Sequence, residues 1–256
     1  MAPANDDDLV TPYKTVANFT RRLGITIDQM GIAPRVVVSW GRRVVDILAT
    51  SSSAENIAQW LYADRQPLYT GQVGGRPVSF VQLPVGAPGT VMVMEELAAC
   101  GVQTFIGLGW AGSLQETAPI GSLIIPSACL SEEGTSRHYF DPPVQYHPDL
   151  PLADALEACA ARHSLPVQRG LLWTTDAPYR ESRSKVEAYR AQGVLGVDME
   201  TSAMYALGMF RGFRVCNLLV VSDELGRDWN MAFGTDQLIE ATKKAIQVVL
   251  DCLAGL

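Results

Sequence analysis

A continuous apolar run from Val215 to Val221, VCNLLVV, constrains this chain more than any other stretch. It does not alternate, so it suits a strand covered on both faces, as in the parallel part of an α/β sheet. It stops at Ser222, Asp223 and Glu224, and in open α/β sheets ligands bind beyond the carboxyl ends of the strands. Just upstream, a short apolar segment ends on Asp198 and Glu200. Met199, Ala203, Tyr205, Ala206 and Met209 then recur at helical spacing until Gly212, which is well placed to end a helix. Two acids, one at a helix head and one at a strand tip, can thus face one pocket. Taken singly, Asp223 also reads as a turn residue, and Glu200 as a first-turn acid pairing with the helix dipole.

The rest of the chain repeats this alternation of strand and helix. Residues 1 to 33 read as a poorly ordered start and a short helical arm, VANFTRRLGITIDQM. Arg35 to Trp40 is a buried strand, followed by Gly41, Arg42, Arg43 and the helix VVDILAT. An arginine and backbone amides at a strand tip suit an anion, although both arginines also read as merely solvated. LYTGQVGGRPVSFVQLP predicts a hairpin turning at Gly74-Gly75, and Thr90 to Cys100 an amphipathic helix. TFIGLG is a third apolar strand leading into a small-residue turn, Trp110-Ala111-Gly112-Ser113. Its GLGWAG string matches GxGxxG, but a dinucleotide site needs a long helix there, and Pro119 and Gly121 break one. SLIIPSACL is again a strand, and the polar loop from Glu132 to Phe140 reads as a substrate flap or an oligomer contact. His138 in that loop is the most readily titrated acid/base candidate, or else a packing or interface residue. A helix over 151–164, the strand VQRGLLWTT, a loop from Asp176 to Glu181 and the helix SRSKVEAYRAQ follow. Beyond Asp223, a loop to Gly234 carries Arg227, and a terminal helix runs from about Thr235 to Leu253. No repeat or composition break interrupts the pattern, so a single α/β domain over 34–256 is expected.

Net charge is −7 among 256 residues, which gives no electrostatic case for nucleic acid or an anionic membrane as partner. No apolar run approaches the ~20 residues that cross a bilayer, and the acidic start MAPANDDD lacks the apolar core of a signal peptide. Five cysteines, far apart and in apolar surroundings, read as buried thiols of a reducing compartment. A cytoplasmic protein without a metal site is the expectation; the three histidines argue against a histidine-rich one.

Five strings occur here in a characteristic order: LGWAGSL, EEGTSRHY, TTDAPYRE, LGVDMETSAMY and VVSDEL. Together they resemble the purine nucleoside and uridine phosphorylase superfamily from about Arg35 to Leu250. The resemblance implies a central twisted mixed β-sheet flanked by helices, and trimers or hexamers of dimers in which a neighbour contributes to each pocket. It implies cleavage of an N-glycosidic bond with phosphate as co-substrate and no cofactor. In the purine-specific members a carboxylic acid that protonates or hydrogen-bonds the departing base stands where Asp223 is, with Ser222 beside it. Glu200 and Met199 match the ribose-holding residues, and Pro178 and Tyr179 match those against the base, next to the small residues Ala111 and Gly112. Arg43 matches a phosphate-binding arginine, Arg227 is the nearest substitute for one that assists the acid, and Trp110 stands at a phosphate-turn position.

The chain also departs from the family. Ser39-Trp40-Gly41-Arg42 replaces a glycine-aspartate-proline turn, and Gly107 and Trp110 replace a phosphate arginine and serine. The glutamate with which related nucleosidases activate water is missing as well, since Arg43 takes its place. A phosphorylase acting on a purine nucleoside is the main expectation; a hydrolase using water and a non-catalytic nucleoside-binding homologue are the alternatives.

Overall fold

The computed structural model describes residues 8–256. The poorly ordered start expected from the sequence falls largely on residues 1–7, outside the described residues. Helix α1, Pro12–Leu23, is capped by the Thr11 hydroxyl and ends at Gly24 in the left-handed conformation, so the helical arm breaks there. Strand β1 is Arg35–Ser39, and α2 is Arg42–Ser51. A two-residue strand β2, Glu55–Asn56, precedes the expected hairpin, β3 at Leu68–Val73 and β4 at Arg76–Gln82. Gly74 and Gly75 both have positive φ at its turn.

Helix α3, Ala87–Ala99, is buried around most of its surface, so the expected amphipathic pattern gives way to a core helix. Strand β5 runs over Thr104–Ser113; what reads as a small-residue turn at Trp110 to Ser113 is therefore the second half of a strand. Strand β6 is Leu123–Ser131, α4 is Leu150–Arg162, β7 is Val167–Thr174 and α5 is Arg183–Ala191. Strand β8 is only Gly196–Asp198, and α6 is Thr201–Arg211, stopped by Gly212 at φ 75°. Strand β9, Arg214–Leu225, carries Asp223 and Glu224 within it rather than beyond it. A short β10, Trp229–Met231, and the terminal α7, Asp236–Gly255, complete the chain.

The strands form one mixed sheet in the order β10-β9-β6-β7-β8-β5-β1-β4-β3-β2, and β9 also pairs with β5. That extra pairing closes β5, β9, β6, β7 and β8 into a ring, so the edges that remain are the short strands β10 and β2. Helices α2, α4 and α7 cover one side around Val45, Leu156, Leu218 and Val249. Helices α1, α3 and α6 cover the other around Val16, Leu97, Phe105 and Tyr205. No helix of the described residues is long and apolar enough to cross a membrane.

Candidate functional site

The corner between β8 and α6 separates two acids that the sequence sets two residues apart. Asp198 is buried and turned inward: Oδ2 accepts from the Thr201 amide at 2.9 Å and from its hydroxyl, and Oδ1 accepts from the Thr174 hydroxyl at 2.7 Å. It thereby satisfies an otherwise orphan donor in the first turn of α6. Glu200 points across the gap, where Oε1 accepts from the Gly86 amide at 2.6 Å. Gly86 has φ 98°, a conformation that costs glycine nothing and turns that amide towards the acid. Burial first, then the nearby Asp198 charge, pushes the Glu200 carboxyl well above the ordinary range, and the Gly86 and Met199 amides offset only part of this. Glu200 is thus a buried carboxyl held by backbone amides, with room for further donors.

The second acid is positioned by an irregularity in β9. Pairing with β5 runs in register to Ala111 opposite Val221, then resumes with Gly112 opposite Asp223, leaving Ser222 as the extra residue. Strand neighbours normally face opposite sides; the bulge lets Ser222 and Asp223 both line one cavity. The Ser222 hydroxyl donates to Asp223 Oδ1 at 2.6 Å, and the Trp229 indole to Oδ2 at 2.7 Å. Trp229 returns over Asp223 because β10 pairs antiparallel to β9, with Met231 opposite Asp223. Arg227 lines the cavity too, but the donors that reach Asp223 are Ser222 and Trp229.

A third wall comes from the turn Pro178–Arg180, in which Tyr179 is 94% exposed. Glu181 follows it, and burial together with the Asp223 charge pushes its carboxyl up to about 7, against the pull of Lys185. This loop is tied to the polar loop at 132–140 by the Gly134 amide, which donates to Asp176 at 3.0 Å. The anchor of the polar loop is Glu133, only 1% exposed, which accepts from the Ser131 hydroxyl, the Ser136 amide and the Ser202 hydroxyl at 2.8 to 3.0 Å.

These walls enclose a cavity of about 730 Å³. Ten of the residues singled out from the sequence line it: Trp110, Ala111, Gly112, Pro178, Tyr179, Met199, Glu200, Ser222, Asp223 and Arg227. Two do not. His138 is exposed in the single turn Ser136–His138. Arg43 is exposed in the first turn of α2; Val44 and Val45 take the inward side, and its neighbour Arg42 pairs with Asp46 at 2.8 Å. Arg43, expected to bind phosphate from the first strand tip, is thus not among the residues lining this cavity.

The space beside the β1 tip holds indoles instead. Trp40 and Trp110 both line the cavity, donating to the Thr90 and Thr242 hydroxyls at 2.9 and 3.2 Å. The rings lie on glycines: a Cβ on Gly41 would come within 2.3 Å of Trp110, and one on Gly109 within 2.6 Å of Trp40. Gly107 is small for a related reason, because a Cβ there would stand 2.1 Å from Asn217 Oδ1. Sequence reasoning missed Trp40, Trp229 and Glu181. Only the adjacent pairs Trp40-Gly41 and Gly109-Trp110 bear on the first, and nothing local marked the others.

A family model described as the phosphorylase superfamily matches residues 36–254. The chain is 30% identical over 199 residues to a uridine phosphorylase of Treponema pallidum, spanning 72% of this chain and 75% of that one. It is 27% identical over 192 residues to a guanosine phosphorylase of Halorubrum lacusprofundi, spanning 71% and 78% of the two chains. Among solved structures, the purine nucleoside phosphorylase of Toxoplasma gondii in complex with immucillin-H superposes with a TM-score of 0.80 at 21% identity. That match covers 88% of this chain and 91% of the other.

Proposed function

This chain belongs to the phosphorylase superfamily, and from that premise we propose that it cleaves the N-glycosidic bond of a purine nucleoside, with phosphate as acceptor. The observation that carries the reading is that Glu200 and Asp223 line one cavity, the first for the pentose and the second for the base. Glycosidic cleavage passes through a cationic sugar while negative charge gathers on the leaving base. Ribose hydroxyls would supply Glu200 with the donors that burial denies it, and Met199 would lie against the sugar. At the other end, a carboxyl group beside the base helps it depart. Pro178 and Tyr179 offer an apolar surface to the ring. Purine is favoured over pyrimidine because Asp223 stands where purine-specific members carry their acid.

Water in place of phosphate is favoured by one observation: Trp40 and Trp110 fill the space beside the β1 tip, while Arg43 is exposed outside the cavity. A charge-assisted pair is among the strong contacts an anion can have, and no arginine from the β1 tip lines that wall. Release of base from inosine and adenosine, with and without phosphate, tests both readings. Phosphate-dependent release supports the first, and release indifferent to phosphate supports the second. No release, with the nucleoside still raising the melting temperature, leaves a binding protein.

The proposal includes a homo-oligomer in which a neighbour completes the pocket. Val85, Tyr179, Trp229 and Phe233, each more than half exposed, give the cavity mouth the apolar character of a surface that a second copy would cover. Sedimentation that finds only monomers at working concentration would remove this part.

A further inference from the structure

Trp40 and Trp110 line the cavity on the side of Glu200, and the reading above gives them no task beyond filling space. Their place is fixed by contacts. The Trp40 indole donates to the Thr90 hydroxyl at 2.9 Å, and the Thr90 amide donates in turn to the Gly86 carbonyl at 3.1 Å. Gly86 is the residue whose own amide holds Glu200. Three hydrogen bonds thus connect Trp40 to the carboxyl assigned to the pentose. Trp110 lies beside it, because its ring rests against Gly41, the next residue after Trp40.

Neither indole has a polar atom left for a ligand. Its single N–H is committed, to Thr90 or to Thr242, and an indole nitrogen can only donate. What each presents to the cavity is ring carbon, and the face of an aromatic ring carries the negative part of its quadrupole. Two carboxyl groups, Asp198 and Glu200, line the same end. The arginines that line the cavity belong to other elements: Arg183 and Arg190 are on α5, and Arg227 is in the loop after β9. Among the described residues, no lysine or arginine lines the cavity from the β1 tip, β5, β8 or the turn at Gly86. The sugar end therefore suits a positive charge that the protein itself does not supply.

We infer that Trp40 and Trp110 form a cation–π wall that stabilises the positively charged sugar as the glycosidic bond breaks. The inference rests on the reading of the cavity as a nucleoside site, and it holds whether phosphate or water attacks. In that step the sugar takes on oxocarbenium character, its positive charge shared between C1′ and the ring oxygen. Tryptophan is the best of the aromatic partners for a cation. The sugar of the bound nucleoside is neutral, so the attraction belongs mainly to the transition state, where it lowers the barrier instead of tightening substrate binding. Asp223 keeps its part at the base and Glu200 its part at the hydroxyls. The committed N–H groups hold both rings in place before the charge develops, which spares reorganisation during the reaction.

The test uses two stable ligands that differ in charge. One is 9-deazainosine, whose base is joined to ribose through carbon; the other is its 4′-imino counterpart, protonated on the nitrogen that replaces the ring oxygen. Affinities are measured for wild type, Trp40→Leu and Trp110→Leu. Wild type should bind the cation more tightly, and each Leu variant should lower the ratio of the two affinities about 10- to 30-fold, the worth of a desolvated cation–π contact. Trp40→Phe and Trp110→Phe keep a ring and should lower the ratio less, and they carry the test if a Leu variant does not fold. With inosine, kcat should fall with little change in KM. Wild type without preference for the cation, or variants that weaken both ligands alike and keep the ratio, would reduce the indoles to space-filling. Either result overturns the inference while the nucleoside reading stands. Wild type that binds neither ligand and cleaves no nucleoside would overturn both.

Discussion

The indole N–H of Trp229 reaches Oδ2 of Asp223 at 2.7 Å, so the acid near the tip of β9 is held by a residue of the next strand. Hydrogen bonds to charged groups contribute about 1.5–3 kcal/mol. Trp229→Phe, which keeps an aromatic ring and removes only the donor, should therefore lower kcat/KM about 10- to 100-fold. Trp229 is 57% exposed, so the melting temperature should change little. Steady-state kinetics beside a thermal melt separate the two effects.

Glu200 predicts a preference for the sugar. Held among the described residues by the backbone amides of Gly86 and Met199, it has acceptor capacity left for ribose hydroxyls. Wild type should prefer inosine to 2′-deoxyinosine, and Glu200→Ala should treat the two alike while losing about 10- to 100-fold in kcat/KM on inosine, the worth of one or two charge-assisted bonds. An Ala variant that keeps the wild-type preference would detach Glu200 from the sugar.

The tryptophan-filled wall makes a prediction about stability. Gly41→Ala would push a methyl into the Trp110 ring, and Gly107→Ala would push one into the Asn217 amide. Overpacking of this kind costs about 1–3 kcal/mol, read as a lower midpoint in urea. Restoring an arginine at 107 alone should not create phosphate dependence, because Asn217 already occupies the space.

Glu133 governs acid stability. Burial acts to raise its carboxyl, but hydrogen bonds from Ser136, Ser131 and Ser202 win and hold it below the ordinary range. A depressed carboxylate contributes stability that is present above its unfolded value near 4.5 and is lost as pH falls through the folded one. Glu133→Ala should cost at least about 3 kcal/mol near neutral pH, since several buried donors lose a charged acceptor. Its loss of stability on acidification should be correspondingly shallower.

Much of the fold was legible because the chain punctuates itself. Gly74-Gly75, Gly212 and the apolar run before Ser222 mark a hairpin, a helix end and a buried strand through backbone conformation and patterning alone. The extent of β5 was not, since Trp110 to Ser113 reads as a turn by composition and becomes a strand only because β9 and β8 pair with it. The acids Glu200 and Asp223 were visible at element ends. Their different surroundings were not: the bulge at Ser222, the Gly86 amide and the return of Trp229 all depend on partners distant in sequence or on pairing register. The direction of Arg43 was not legible either, because a strand tip names the place but not the direction of a side chain on the following helix.

The central claim is that one nucleoside lies between Glu200 and Asp223. A crystal structure with inosine, or a stable analogue of it, tests this most directly. The account predicts the ribose hydroxyls within hydrogen-bond distance of Glu200 and the purine beside Ser222, Asp223 and Glu181. A nucleoside bound elsewhere, or one whose sugar and base contact neither acid, would contradict it.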